Sequence, residues 1–569
     1  MNKKLQTVLT LVCVLLIAFT AGCSGSRSAS SRNIDRSRFN ELGTFPIVNE
    51  KETITIITYD NGAMTFDDAN RFTRLYEEKT NVRVNWIMVP LSQFKERVNL
   101  ALASGDAIDL IISGENSQAN FSNIEIMKLA EQKLIEPIQE YIEQDTIYFK
   151  QRIKEMEMWE DILTLPDGNI YALPSLNGCH ACLYYGRMFV NREFLKRVNL
   201  PYPATTEEFR KMLIAFRDND ANGNGNRNDE IPLMGAIDNY GSNLDTYLIS
   251  AFIYNDGDNR LFLDSGKVTA AFTQPQFREG LNYINGLFRD GLIAKDSFTA
   301  SRAVRAQMNS NVYESMIGAM PNMHNGNLGT RLIGEPVRWT DYDSIAPLEG
   351  PGGYKIARYD PYEAYTLGGL IPSTCKDPAL VMRWLDWFMS DEGTLMLTYG
   401  EKGIGWEDPD PGATGQDGSP AKIKVVPILA NDPNFGKINW GPRFPCFRSF
   451  EFRNSVQSAD DPLAPDGSGR DRYGELNVQQ MYVPYAQKIE NLVPPLYFSP
   501  QHSLEIAALR TNINTYVGES IAKFIVGDLN LNKDWETYLT NLKNLGLERY
   551  LQIIQTTYNA SPFVGRHRN

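Results

Sequence analysis

The 569-residue chain has only six cysteines and four histidines, and two of the cysteines fall within the first 23 residues. So sparse a supply excludes a disulfide-dense scaffold and leaves imidazole acid–base chemistry poorly provided for. Basic charge is also short: 56 Lys and Arg face 69 Asp and Glu, a net charge of −13, with no long runs of either sign. A nucleic-acid partner needs a basic surface, which this composition does not offer. No Gly-x-Ser-x-Gly elbow, His-Glu-x-x-His pair or Walker loop occurs in the sequence. After residue 23 no apolar run approaches the length of a membrane span, and no repeat of fixed period is present. Cys179 and Cys182 do have Cys-x-x-Cys spacing, but they follow "YALPSLNG" and run into the strand-like "LYYGRMFVN". A redox motif would sit at a helix start in a small thioredoxin-like unit. The pair therefore reads as a local disulfide or two free thiols, and with His180 it is an incomplete zinc set.

What is present begins with "MNKKLQTVLTLVCVLLIAFTAGC". Two lysines precede an apolar stretch over 8–19 that is too short to span a bilayer comfortably and reads as an export signal. Its ending, "TAGC", resembles a bacterial lipobox, although Thr20 stands where a leucine is commoner. That resemblance implies a signal over 1–22, lipidation of Cys23 and a protein anchored to the extracellular face of the cell membrane. Cleavage near Ala21 with full secretion is the alternative. Residues 23–47, rich in Ser, Gly and Arg at their start, serve as a tether with little to bury.

The body alternates strand and helix signals. "TITIITY" (53–59) is a β-branched run, Phe72, Leu75 and Tyr76 share a helical face, and Val82, Val84 and Trp86 alternate as a strand does. A helix through Phe94, Val98 and Leu102 precedes the buried strand in "DAIDLIIS" (106–113). This rhythm predicts an α/β fold with a mostly parallel sheet, whose ligands gather at the carboxyl ends of strands. Asp60, Asn61, Glu115, Asn116 and Asn177 follow such ends and are candidate ligand contacts. Residues 277–293 and 377–407 carry amphipathic helices, 402–475 read as irregular, and 504–558 return to helix.

One loop looks like a metal site. "FRDNDANGNGNRNDEIP" (216–232) offers only oxygen ligands around two spaced glycines. In one calcium register Asp218, Asp220 and Asn222 take positions 1, 3 and 5, Gly223 the turn, Asn224 a carbonyl, Asn226 position 9 and Asp229 position 12. A second register starts at Asp220, with Asn222 and Asn224 as ligands, Gly225 at the turn, and Asp229 or Glu230 reaching in. Both stay open. The predicted ion is calcium in a structural role, neutralising carboxylates and fixing the end of the preceding helix. A catalytic metal would keep an open position beside acid–base partners.

The order of these pieces, with "YALP" (171–174), "GGLIPSTCKDPALVMRWLDWFMSDEGTLMLTYGEKGIGWE" and the tail over 521–559, resembles an extracellular solute-binding protein. More narrowly, it is similar to the large sugar-type lipoproteins of Gram-positive bacteria. The resemblance implies a periplasmic-binding-protein-like fold: two α/β lobes, a hinge of two or three crossing strands, and ligand trapped on closure. It places the first lobe at 48–170 with 360–395 and the second at 171–359 with 396–560. It also implies a monomer that is no enzyme and hands an oligosaccharide to the permease subunits of an ABC importer. A sugar cleft wants aromatic platforms among hydrogen-bonding groups. Trp86, Trp384 and Trp387 sit on predicted elements and read as core, whereas Trp339, Trp406 and Trp440 sit in loops as candidate stacking rings. Arg443 beside Trp440 is a candidate donor. A polysaccharide-acting enzyme and a peptide-binding or sensory lipoprotein are the rival readings.

Overall fold

In "ETITIITYD" the residues alternate between two buried faces, and the segment forms strand β1, Glu52–Asp60, as β-branched runs do. The computed structural model describes residues 34–60, 62, 64–114, 118–238, 241–310, 315–325, 328, 338–428, 432–464 and 468–566. Residues up to Phe39 form a unit of their own, in which Asp35 caps a 3-10 turn at Arg36–Arg38. Among the described residues the second unit, Asn40 onward, carries all the strands and the other helices.

Besides β1, nine strands build two main sheets: β2 Val82–Pro90, β3 Leu110–Ile112, β4 Ala172–Asn177, β5 Arg187–Asn191, β6 Ile231–Leu233, β7 Ile317–Asn322, β8 Tyr342–Ile345, β9 Tyr365–Leu370 and β10 Phe447–Arg448. The first sheet has the order β10-β4-β9-β3-β1-β2. β1 pairs in parallel with β2 and β3, β9 runs antiparallel to β3 and β4, and β10 is parallel to β4. The second has the order β8-β5-β7-β6, with β5 antiparallel to both neighbours and β6 parallel to β7. These are the centres of two α/β lobes.

The pairings fix which edges meet. In the first sheet β1, β2, β3, β4 and β10 all point one way, so their carboxyl ends share one edge. In the second, the carboxyl ends of β6, β7 and β8 lie with the amino end of β5. The chain crosses from the end of β4 to the start of β5, and from the end of β8 to the start of β9. It crosses again after β10, entering the Arg470–Met481 helix, where the Tyr473 hydroxyl accepts from the Ser344 amide of β8 at 3.0 Å. Every crossing thus joins the carboxyl edge of one sheet to the corresponding edge of the other, and a cleft lies between them.

Two faces cover the first sheet. Ile57, Tyr59, Phe94, Val98 and Ile111 pack on one side. Trp86, one position from Ile87 and so on the opposite face, joins Phe66, Phe72, Trp384, Trp440 and Phe444 in an aromatic layer. The helix Arg71–Thr80 contributes Phe72 and Tyr76; the Asn70 side chain caps its start and Asn81 ends it in the left-handed region. The second lobe is cored by Val190, Phe194, Phe209, Phe216 and Leu281 together with the helices Pro500–Val526, Trp535–Asn544 and Leu547–Ala560. The expected boundaries at 170/171 and 395/396 cut across these pairings, since 172–177 and 447–448 are strands of the first sheet. No described helix is long and apolar enough to cross a membrane.

Candidate ligand-binding cleft

At the first lobe's edge the chain leaves β3 through Ser113 and Gly114, whose amides both donate to the Gly368 carbonyl at 3.0 and 3.1 Å. Gly114 has φ +58, and a Cβ there would sit 2.7 Å from the Arg443 carbonyl, so only glycine fits. The Arg443 guanidinium stacks on the Tyr59 ring at 3.6 Å and donates to the Tyr59 carbonyl at 2.5 Å. It acts as a strut beneath the ends of β1 and β3. Burial depresses its pKa, against the pull of Tyr59 and Asp60.

Facing this edge, β7 ends in "PNMHN". A cavity of about 190 Å³ lies between Met323, His324 and Asn325, the Gly178–Cys182 crossing, and Arg453 and Arg470 of the crossing after β10. Cys179 and Cys182 are joined in a disulfide. His180 donates or accepts at Nδ1 to Glu475 at 2.8 Å and stacks on Phe450, tying two crossings together. Burial, reinforced by Arg187 and Arg470, holds the His324 pKa at about 4, so its imidazole is neutral at physiological pH. Among the described residues, the buried Asn322 Oδ1 and Asn325 Nδ2 atoms have no hydrogen-bond partner. Unspent polar atoms at a strand end are where hydroxyl groups can be received. Tyr184 and Tyr359, from two crossings, stack at 5.1 Å.

The predicted contacts scatter. Cys23, Asn61, Glu115 and Asn116 lie outside the described residues. Asp60 is exposed at the end of β1 and accepts the Gly62 amide at 2.8 Å, a turn interaction. Asn177 accepts from Arg453 at 2.7 Å, beside the cavity. Trp406 is half-buried on a two-stranded ribbon, its Nε1 donating to the Gly400 carbonyl at 3.0 Å. Trp339 and Trp440 are corrections: both are buried, Trp339 against Tyr473 and Trp440 in the aromatic layer, with its Nε1 donating 2.9 Å to Thr73 Oγ1. Rings sealed in a core cannot stack on a sugar. Arg443 is a third, since its buried head is occupied by Tyr59. Asn322, Asn325 and His324 were missed, because "PNMHN" has no periodicity; its position after a strand was the one available signal.

In the acidic loop the Asp220 carboxylate accepts the amides of Gly223, Asn224 and Gly225 at 2.9, 3.0 and 2.9 Å. Asn222 and Asn224 each donate a side-chain amide to Asp229, at 3.1 and 2.7 Å, and the Asn226 amide donates to Asn224 Oδ1 at 2.7 Å. Glu230 Oε2 is buried and lacks a partner among the described residues, and burial, with help from Asp229, raises its pKa. Asp218 is a correction to the first register: its carboxylate turns away to Arg217, at 2.7 and 3.1 Å. Among the described residues no three His, Cys, Asp or Glu side chains converge on one point.

Residues 66–395 match the model of the family described as bacterial extracellular solute-binding protein. The chain belongs to that family. Its members bind rather than transform their ligands, so this solute-binding protein is not an enzyme. It is 26% identical, over 95% of its length and 96% of the relative's, to the fructooligosaccharide ABC transporter substrate-binding protein FusA of Streptococcus pneumoniae. Lipoprotein LipO of Bacillus subtilis is 24% identical over 68% of this chain and 71% of that one. The solved structure of a FusA EF-hand mutant in complex with fructo-nystose superposes with a TM-score of 0.69 at 23% identity, covering 89% of this solute-binding protein and 99% of that chain.

Proposed function

We propose that the protein is a lipid-anchored receptor that captures an oligosaccharide between its lobes and passes it to the permease subunits of an ABC importer. The observation that carries this reading is the likeness, along nearly the whole of both chains, to the fructooligosaccharide transporter component. Among the described residues, the unpaired Nδ2 of Asn325, which lines the cleft cavity, and the unpaired Oδ1 of Asn322 support it. Ligand bridging the lobes stabilises the closed arrangement and so biases a two-state equilibrium. On this reading the first lobe comprises 48–177 with 365–454, and the second takes 187–345 with 470–560. The anchor is Cys23, at the extracellular face, in keeping with the lipoprotein relative. The protein acts as a monomer.

Calcium in the 220–230 loop is the second part of the proposal. The donor set fits a hard cation: Asp220, Asn222, Asn224, Asp229 and the buried Glu230 oxygen, with Gly225 at φ +88 in the sixth position counted from Asp220. The ion would balance the loop's carboxylates and fix the end of the Thr206–Asp218 helix. The named EF-hand in the solved relative supports the same reading.

A thermal-shift screen of the mature chain against fructo-oligosaccharides, neutral gluco-oligosaccharides, uronic oligosaccharides and short peptides tests the proposal. One saccharide class should raise the melting temperature without release of product. Stabilisation by peptides alone would reject the carbohydrate reading.

A further inference from the structure

The cleft cavity has one wall that neither β7 nor the crossings supply. Gln416 belongs to the loop over 409–421, beyond the Asp391–Tyr399 helix, and lines the cavity beside Asn454. The backbone holds this loop in place. The Gln416 amide donates to the Asn454 carbonyl at 2.9 Å, and the Gly415 amide to the Ser419 carbonyl at 2.7 Å. A Cβ at Gly415 would lie 1.9 Å from the Asn454 carbonyl oxygen, so only glycine lets the loop dock this closely. Arg472, on the Arg470–Met481 helix, donates to Thr414 Oγ1 at 2.5 Å.

The side chain so positioned is left without work in the fold. Gln416 is 9% exposed, and among the described residues its side-chain amide makes no hydrogen bond, although buried amides are ordinarily paired. Asn325, 2% exposed and just past β7, brings its unpaired Nδ2 to the same cavity from the second lobe. The charged groups around them are engaged: Arg453 donates to Asn177 at 2.7 Å, Arg470 pairs with Asp471 at 3.0 Å, and Glu475 is bonded to His180 at 2.8 Å. Two guanidiniums set against two carboxylates, with a neutral His324, leave no net charge to attract an ion. No Phe, Tyr or Trp lines the cavity among the described residues, so the flat face of a sugar ring finds no platform there.

We propose that Gln416 and Asn325 are opposing ligand contacts that select one neutral sugar unit of the cargo by its hydroxyl groups, without ring stacking. The inference rests on the oligosaccharide reading above and adds to it a specificity-determining residue and a charge preference. At about 190 Å³ the cavity is smaller than most ligand pockets and has room for one unit, not for a chain. A side-chain amide carries two donors and an acceptor, which match hydroxyls that both give and accept. The docked loop fixes Gln416 before ligand arrives, so little ordering is lost on binding. With one amide on each lobe, a unit bonded to both favours the arrangement in which they face each other.

The test titrates fructo-oligosaccharides, neutral gluco-oligosaccharides and uronic oligosaccharides, each as a shorter and a longer chain, into the mature chain, Gln416→Ala and Gln416→Glu by calorimetry. A neutral saccharide that binds the wild type should bind Gln416→Ala about tenfold more weakly, the value of one lost hydrogen bond of ordinary strength. The factor should be the same for both chain lengths, because one unit occupies the cavity. Gln416→Glu keeps the size and an acceptor but loses both donors, and should weaken binding at least as much. Melting temperatures of the free variants should match the wild type, since no bond within the fold is removed. Neutral saccharide binding that is indifferent to both substitutions would overturn this inference and leave the oligosaccharide reading standing, as would binding of uronic oligosaccharides alone. Failure of every saccharide to bind the wild type would overturn both. Weaker binding accompanied by a fall in melting temperature of several degrees in both variants would mean that Gln416 holds the loop instead of the ligand, and would also overturn the inference.

Discussion

Trp440 separates two accounts of one residue: a ligand platform, as its loop context suggests, or a keystone of the first lobe, as its packing shows. The ring is 1% exposed. Its centroid lies 4.8 Å from Phe72, 4.9 Å from Phe444, 5.2 Å from Trp86 and 5.9 Å from Trp384. Trp440→Ala removes this ring from a packed layer that can collapse only in part, at a cost of about 3–5 kcal/mol. The lost bond to Thr73 adds about 1 kcal/mol, softened because Thr73 still donates to the Phe66 carbonyl at 2.9 Å. A loss of about 4–5 kcal/mol is a large share of a typical domain's stability of roughly 5–15 kcal/mol. Urea unfolding followed by near-UV circular dichroism should show the midpoint falling with the slope unchanged. Calorimetry on the folded variant should find the oligosaccharide dissociation constant within about twofold of wild type, or about 0.4 kcal/mol. A variant that keeps its stability but loses ligand affinity tenfold would refute the packing account.

Further outcomes rest on the charged groups and the disulfide. Asp256 has its pKa raised from the ordinary 3.8 to about 7, mainly by burial. The folded value lies above the unfolded one, so the stability tied to its protonated form is complete below about pH 4 and is lost as pH rises through about 7. Asp256→Asn keeps an oxygen acceptor and cannot ionise; thermal melts should show it stabilised at pH 8, by about 4 kcal/mol at most, and unchanged at pH 4. An equal shift at both pH values would contradict the burial argument. If calcium fills the 220–230 loop, EDTA should lower the wild-type melting temperature, by the equivalent of about 2.7 kcal/mol when the ion was present at a hundred times its dissociation constant. Asp220→Ala should abolish that response and Asp218→Ala should retain it. Replacing Cys179 and Cys182 together by serine should cost only about 2 kcal/mol in chemical denaturation, because the two cysteines are just three positions apart.

The local patterns in the sequence were legible wherever one face of an element meets one environment. The alternation of "TITIITY" gave β1, and Phe72 and Tyr76 at helical spacing gave the buried stripe of Arg71–Thr80. The Asp220–Asp229 loop was legible because the groups that hydrogen-bond within it are close neighbours in the chain. What failed depended on distant partners. Trp440 sits in "INWGPRF", whose glycine and proline look like a surface loop, yet Thr73, 367 positions away, pairs with it. Arg443 looked like a free donor because Tyr59, its partner, lies 384 positions away. β10 is only two residues long and carries no periodic signal, so its place beside β4 was invisible. Asp218 was misplaced although its neighbour Arg217 was in view; position within a motif outweighed the adjacent guanidinium.

The central claim, that the edges joined by the three crossings enclose an oligosaccharide, is tested most directly by calorimetric titration of the mature chain with fructo-oligosaccharides, alongside Asn325→Ala. Asn325 is buried and its Nδ2 atom has no partner among the described residues, so the substitution removes little from the fold. The account predicts saturable binding by the wild type, and an affinity at least about tenfold weaker in Asn325→Ala at an unchanged melting temperature. Tight binding that is indifferent to Asn325 would place the ligand outside this cleft.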